Sequence, residues 1–167
     1  IGDSTFFASG ITGVLNAVYN QTQIVIVVLD NSTTAMTGQQ PHPGLGHTMM
    51  GKQSHPVSIE KMLEAAGVSH IETANPLDLE AAKAATVRAV EAGGVSAVVF
   101  RSPCIAVSKP SPVYKVDEAL CTNCKKCIRE LGCPSIQKGD GHVTIDPSPC
   151  YGCSICEQVC PFGAIGR

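Results

Sequence analysis

Two triplets of cysteines, each with its members three positions apart, constrain this chain more than any other feature. The first run is Cys121-Thr-Asn-Cys124-Lys-Lys-Cys127 followed by Cys133-Pro134, and the second is Cys150-Tyr-Gly-Cys153-Ser-Ile-Cys156 followed by Cys160-Pro161. Eight of the nine cysteines fall within these forty positions. A triplet at this spacing wraps one corner of an iron-sulfur cube, and in such runs the cysteine before proline ligates the other cluster. The spacing therefore assigns one [4Fe-4S] cluster to Cys121, Cys124, Cys127 and Cys160. It assigns a second to Cys150, Cys153, Cys156 and Cys133. Two alternatives fit less well. A disulfide framework belongs to secreted chains, and no signal peptide is visible. Structural zinc takes paired cysteines in a tetrahedral set of four, not duplicated triplets each closed by Cys-Pro.

At 167 residues the chain has room for one ordinary domain ahead of this module. In that part, Phe7, Ile11, Val14, Leu15, Val18 and Tyr19 recur at helical spacing between Thr5 and Asn20, with Gly10, Gly13 and Ala17 on a second face. Ile24 to Leu29 is apolar throughout and β-branched, as in a strand buried on both faces of a parallel sheet. Ser32 to Pro56 has no sustained period and reads as a long loop. A helix capped by Ser58, a strand over 68–73, a helix capped by Asp78 and a strand over 95–100 follow. The alternation predicts a parallel α/β sheet. We expect the first domain to span residues 1–107, and Lys109-Pro110-Ser111-Pro112 to be a stiff linker. The cluster module then takes residues 108–167, its halves joined by a turn at Gly139-Asp140-Gly141. The opening Ile1-Gly2-Asp3 reads as the end of a strand whose beginning is absent, so we expect a fragment of a longer protein.

Charge excludes some partners. The formal net charge is -2 with thiols counted as neutral, and each oxidised cluster with its four thiolates adds about two negative charges. No Lys and Arg cluster of the kind that grips phosphate backbones is present, which argues against nucleic acid. The longest apolar run is far too short to span a membrane.

The chemistry of the first domain lies in a pair of dipeptides. Gly2-Asp3-Ser4 is followed, after twenty-five residues, by Asp30-Asn31. An acidic residue and an amide would thus stand at the carboxyl ends of two strands, where open α/β sheets bind ligands. Magnesium takes hard oxygen ligands and commonly joins one or two carboxylates to substrate phosphates, so a diphosphate bridged by Mg²⁺ suits the pair. The spacing resembles the thiamine diphosphate motif, with Ser4 where the general motif has Gly and Asp30 where it has Asn. Gly-Asp-Ser-Thr-Phe and Asp-Asn-Ser-Thr-Thr-Ala-Met-Thr-Gly-Gln-Gln-Pro-His-Pro-Gly further resemble the alpha subunits of indolepyruvate ferredoxin oxidoreductases. The domain order is similar too, and the resemblance covers essentially the whole chain.

That resemblance implies a parallel-sheet thiamine diphosphate-binding domain, truncated at its amino end, followed by a small α+β bacterial-ferredoxin-like domain. It implies Mg²⁺ held by Asp3, the Asn31 side chain and the Thr33 carbonyl, with Ser4 beside the cofactor. It implies a cytoplasmic enzyme that decarboxylates an aryl 2-oxoacid oxidatively to an acyl-CoA and CO₂, passing electrons through two [4Fe-4S] clusters to ferredoxin, together with a beta subunit. Pyruvate or a branched-chain 2-oxoacid is an alternative substrate, and an electron-transfer protein with a non-catalytic scaffold domain is an alternative function. His42 and His47 follow the metal residues, either as loop histidines or as a substrate-facing acid or base. Cys104 is expected to be a small buried hydrophobe. Lys125, Lys126 and Arg129 are either a solvated face or a guide for an acidic ferredoxin.

Overall fold

The computed structural model describes residues 1–108 and 111–167, in two compact units, Ile1–Ser108 and Lys109–Arg167. The first two residues of the expected linker, Lys109 and Pro110, lie outside the described residues.

In the first unit β1 (Ile24–Asp30), β2 (His70–Ala74) and β3 (Val95–Arg101) form a parallel sheet in the order β1-β3-β2. A parallel bridge between Gly2 and Leu29 sets the start of the chain beside the carboxyl end of β1. Alternation along β3 divides the core. Ala97 and Val99 face a cluster with Phe6, Val14, Val28, Ile59 and Leu63, whereas Val98 faces Ala85 and Ala89 of α4 (Leu79–Glu91). Buried Ser96 stays satisfied by donating its hydroxyl to the Ala89 carbonyl at 2.6 Å. β3 is the strand buried on both faces. β1 does not meet that expectation: Val28 alone is fully buried, and Ile24 and Leu29 are about half exposed. The reason is position, since β1 has β3 along one side and only Ile1 and Gly2 against its carboxyl end on the other.

The first helix also departs from its expected pattern. It opens at Asp3, as α1 (Asp3–Thr5), widens to a π segment over Phe6–Gly10, and continues as α2 (Ile11–Tyr19). The π segment rotates the buried face, as such single-turn bulges do. Phe6 and Val14 enter the core, while Leu15 and Tyr19 are left exposed. α3 (Ile59–Ala65) is capped as expected, Ser58 Oγ accepting the Lys61 N–H at 3.2 Å. Its Leu63 is completely buried. Leu63→Ala is expected to lower the stability of this unit by about 2–5 kcal/mol, read from the denaturant midpoint. A change below about 0.5 kcal/mol, the range of surface substitutions, would show that α3 is not anchored through Leu63.

The second unit pairs β4 (Lys115–Val116) with β7 (Ile165–Gly166), and β5 (Ile136–Lys138) with β6 (Val143–Ile145), both antiparallel. The turn from β5 to β6 lies at Gly139 to His142. Each cysteine triplet leads into a short helix, α5 (Lys126–Leu131) or α6 (Ile155–Val159). The two loops trace one backbone path twice: Asn123 and Lys125 in the first, Gly152 and Ser154 in the second, all have φ between 54° and 72°. At Gly152 the glycine is needed for space as well. A Cβ there would stand 2.6 Å from the Pro112 carbonyl oxygen.

Candidate functional site

Asp3 is 1% exposed and ties two strand ends together. Its Oδ1 accepts the Ser4 N–H at 2.7 Å, and its Oδ2 accepts the N–H groups of Asn31 at 3.1 Å and Ser32 at 3.0 Å. The turn so held is Asp30-Asn31-Ser32-Thr33. Ser32 has φ +61°, a left-handed conformation that costs a non-glycine residue on the order of 1–3 kcal/mol and persists only where its surroundings impose it. Asn31 Oδ1 accepts the Thr33 N–H at 3.2 Å. From the other side, the Ser102 N–H reaches the Asp30 carbonyl at 3.0 Å and the Cys104 N–H reaches that of Asn31 at 2.8 Å. Cys104 is thus half-buried beside this turn, not the fully buried hydrophobe expected.

Asp3, Ser4, Asn31 and Thr33 therefore converge, although they come from two strand ends far apart in sequence. The group implied for them is Mg²⁺ with a diphosphate, and the donor set fits it. Asp3 offers a buried carboxylate, Asn31 an amide oxygen and Thr33 a main-chain carbonyl, and the Thr33 hydroxyl is buried with no hydrogen-bond partner. All are hard oxygen donors. Asp3 is the single carboxylate of this set, and among the described residues no three His, Cys, Asp or Glu side chains are grouped to hold a metal ion as they stand, the cysteines of the second unit included. Such an ion would have to complete its shell with amide and backbone oxygens and the phosphates of the cofactor, whose charge it would neutralise.

The two loop histidines part company. His47 is exposed, with Nδ1 3.3 Å from the Leu45 carbonyl. His42 is 8% exposed, and its Nε2 lies 3.1 Å from Asp3 Oδ2.

Sequence reasoning missed a charged group at the same strand ends. Arg101 Nε donates to Asp30 Oδ2 at 2.6 Å and its second guanidinium nitrogen to Glu60 Oε1 at 2.7 Å. Thr73 and Ser58 hydroxyls also donate to Glu60. Burial of Glu60 favours its neutral form, but its hydrogen bonds outweigh this and hold the carboxyl below its ordinary pKa. Asp30 and Arg101 are direct partners in the register of β1 and β3. Opposite charges closing two apolar strands, Leu29-Asp30 and Phe100-Arg101, were the available signal. With His42, Ser32 and Ser58 these three charged residues line an open cavity of about 350 Å³.

In the cluster unit, Cys121, Cys124, Cys127 and Cys160 line one hollow together with Pro161 and Phe162. The thiols report the same grouping through their charges. Cys127 is pushed up in pKa first by burial, and then by Cys160 and Cys124. Cys156 is pushed up to about 11 by burial, with Cys153 and Cys133 adding to it. Thiols of this kind are protonated at neutral pH, so iron uptake must expel their protons.

Comparison with known proteins matches residues 1–100 to the C-terminal TPP binding domain of thiamine pyrophosphate enzymes, and residues 143–166 to the 4Fe-4S binding domain. Proteins named indolepyruvate oxidoreductase subunit IorA are similar over nearly the whole chain. That of Methanothermobacter marburgensis is 47% identical over 168 residues, covering 99% of this chain and 27% of the relative. That of Pyrococcus horikoshii is 41% identical over 177 residues, covering 100% and 27%. That of Archaeoglobus fulgidus is 40% identical over 172 residues, covering 99% and 27%. The chain spans about a quarter of the length of these relatives.

Proposed function

We propose, from the premise that this chain belongs to the thiamine pyrophosphate enzymes through their C-terminal TPP-binding domain, that it is the cofactor-binding and electron-outlet part of a 2-oxoacid oxidoreductase acting on indolepyruvate or another aryl 2-oxoacid. The observation that carries this reading is the identity of 40% or more, over 99–100% of the chain and so through both units, to proteins named for indolepyruvate. Thiamine diphosphate supplies the decarboxylation chemistry, and the clusters supply acceptors for single electrons. A hydride-transferring enzyme would not need them.

Asp3, the Asn31 amide oxygen and the Thr33 carbonyl hold Mg²⁺, and Ser4 adjoins the diphosphate. Cys121, Cys124, Cys127 and Cys160 hold one [4Fe-4S] cluster, and Cys150, Cys153, Cys156 and Cys133 the other. The domain boundary lies near Val107. The complete enzyme includes a second subunit, uses coenzyme A and reduces ferredoxin. Among the described residues no helix is long and apolar enough to cross a membrane.

The test is the CoA-dependent reduction of ferredoxin by the complete enzyme with indolepyruvate, phenylpyruvate, pyruvate and a branched-chain 2-oxoacid. We expect kcat/KM for the aryl acids to exceed that for pyruvate by at least about 100-fold, the discrimination that a few apolar contacts supply. Equal or faster turnover of pyruvate or the branched acid would move the assignment to that substrate. Absence of turnover with every acid, despite bound thiamine diphosphate and reducible clusters, would leave the scaffold reading standing.

A further inference from the structure

We propose that His42 is a positioning residue for the Asp3 carboxylate, fixing which of its oxygens is left for the metal ion. The inference rests on the reading of Asp3 as a Mg²⁺ ligand. His42 Nδ1 accepts the Gly44 N–H at 3.2 Å, and that bond leaves the proton of the neutral ring on Nε2, the nitrogen facing Asp3. The ring is held in place by two neighbours. Phe7 stacks on it with centroids 5.5 Å apart and planes 23° from parallel. Gly44 packs against the edge of this pair so tightly that a Cβ there would stand 2.9 Å from the Phe7 ring and 3.0 Å from His42 Cε1.

Nε2 is buried and has no aligned acceptor, although Asp3 Oδ2 is only 3.1 Å away. A buried N–H left in this state is costly. Oδ2 already takes the Asn31 and Ser32 N–H groups, whereas Oδ1 takes only that of Ser4. Both turn donors therefore sit on Oδ2, with His42 Nε2 standing beside that same oxygen, and Oδ1 keeps the open valence. Outer-sphere donors of this type orient ligating carboxylates.

The experiment is a calorimetric titration of thiamine diphosphate into the complete enzyme, freed of cofactor and Mg²⁺, at a series of fixed Mg²⁺ concentrations. Iron content and unfolding temperature serve as controls for assembly. His42→Phe keeps the stacking on Phe7 and removes the N–H. We expect it to raise the Mg²⁺ concentration needed for half-maximal cofactor binding by about 10- to 100-fold, with the loss offset at saturating Mg²⁺. His42→Gln returns an amide donor and should recover much of the effect. Gly44→Ala displaces the ring without deleting it and carries the test if His42→Phe does not assemble.

Asp3→Ala separates the two levels of the argument. If it leaves Mg²⁺-dependent binding intact, the metal-site reading and this proposal fall together. If it abolishes binding while His42→Phe does not change the Mg²⁺ requirement, only the proposal falls. It also falls if saturating Mg²⁺ offsets nothing, which would mean direct contact with the cofactor. Equal losses in His42→Phe and His42→Gln would overturn it too, since packing and not the donor would then be responsible.

Discussion

Cys160→Ala is expected to remove the cluster of the first triplet, and Cys133→Ala that of the second. Each substitution should lower the iron content from about eight to about four per chain. The expectation is counterintuitive in sequence terms, because Cys160 is four residues from the second triplet and thirty-three from the first. It follows from the hollow that Cys160 shares with Cys121, Cys124 and Cys127, and from the charge coupling of Cys127 to Cys160 and of Cys156 to Cys133. Electron paramagnetic resonance of the reduced single mutants identifies which cluster survives. Loss confined to the triplet nearest in sequence would sink the crossed assignment.

Replacement of Asp3 or Asn31 by alanine is expected to weaken Mg²⁺-dependent binding of thiamine diphosphate by about 100-fold or more, above the range seen when outer-sphere partners are lost. Iron content should not change. The two substitutions test different things. Asp3→Ala removes the carboxylate and also releases the N–H groups of Asn31 and Ser32, so a loose turn would accompany the missing ligand. Asn31→Ala deletes the amide oxygen but keeps the backbone N–H that Asp3 holds. If Asn31→Ala binds cofactor normally, Asn31 supports the turn and does not ligate the ion.

How much of this was legible depended on the range of the forces involved. The cysteines could be read directly because cluster geometry sets their local spacing. β3 could be read as a buried strand because its five consecutive small or β-branched residues fall on the central strand, between β1 and β2. β1 is more apolar still, but its exposure depends on which strand lies beside it, and composition does not encode that. The π segment at Phe6–Gly10 brings Phe6 into the core in addition to the Phe7 that a fixed helical period selects, because one wide turn shifts that period. The Asp3 and Asn31 pairing was visible only as a spacing. What the spacing could not reveal was that the carboxylate binds the backbone of the turn, or that His42 closes on it from thirty-nine residues away. The clamp of Arg101 on Asp30 and Glu60 joins three separate elements through side chains alone. The charges that close β1 and β3 hint at the first contact, but no local pattern records the reach to Glu60.

The bonds from Asp3 to the turn after β1 have a kinetic meaning. Two strand ends twenty-eight residues apart in sequence are joined by hydrogen bonds within the fold itself, so the entropy of bringing them together is lost during folding and not on binding. A site assembled in advance avoids the ordering cost that loosely held ligands impose on association. Cofactor loading should then proceed as a single fast phase set by encounter, with no slower step in which the turn rearranges.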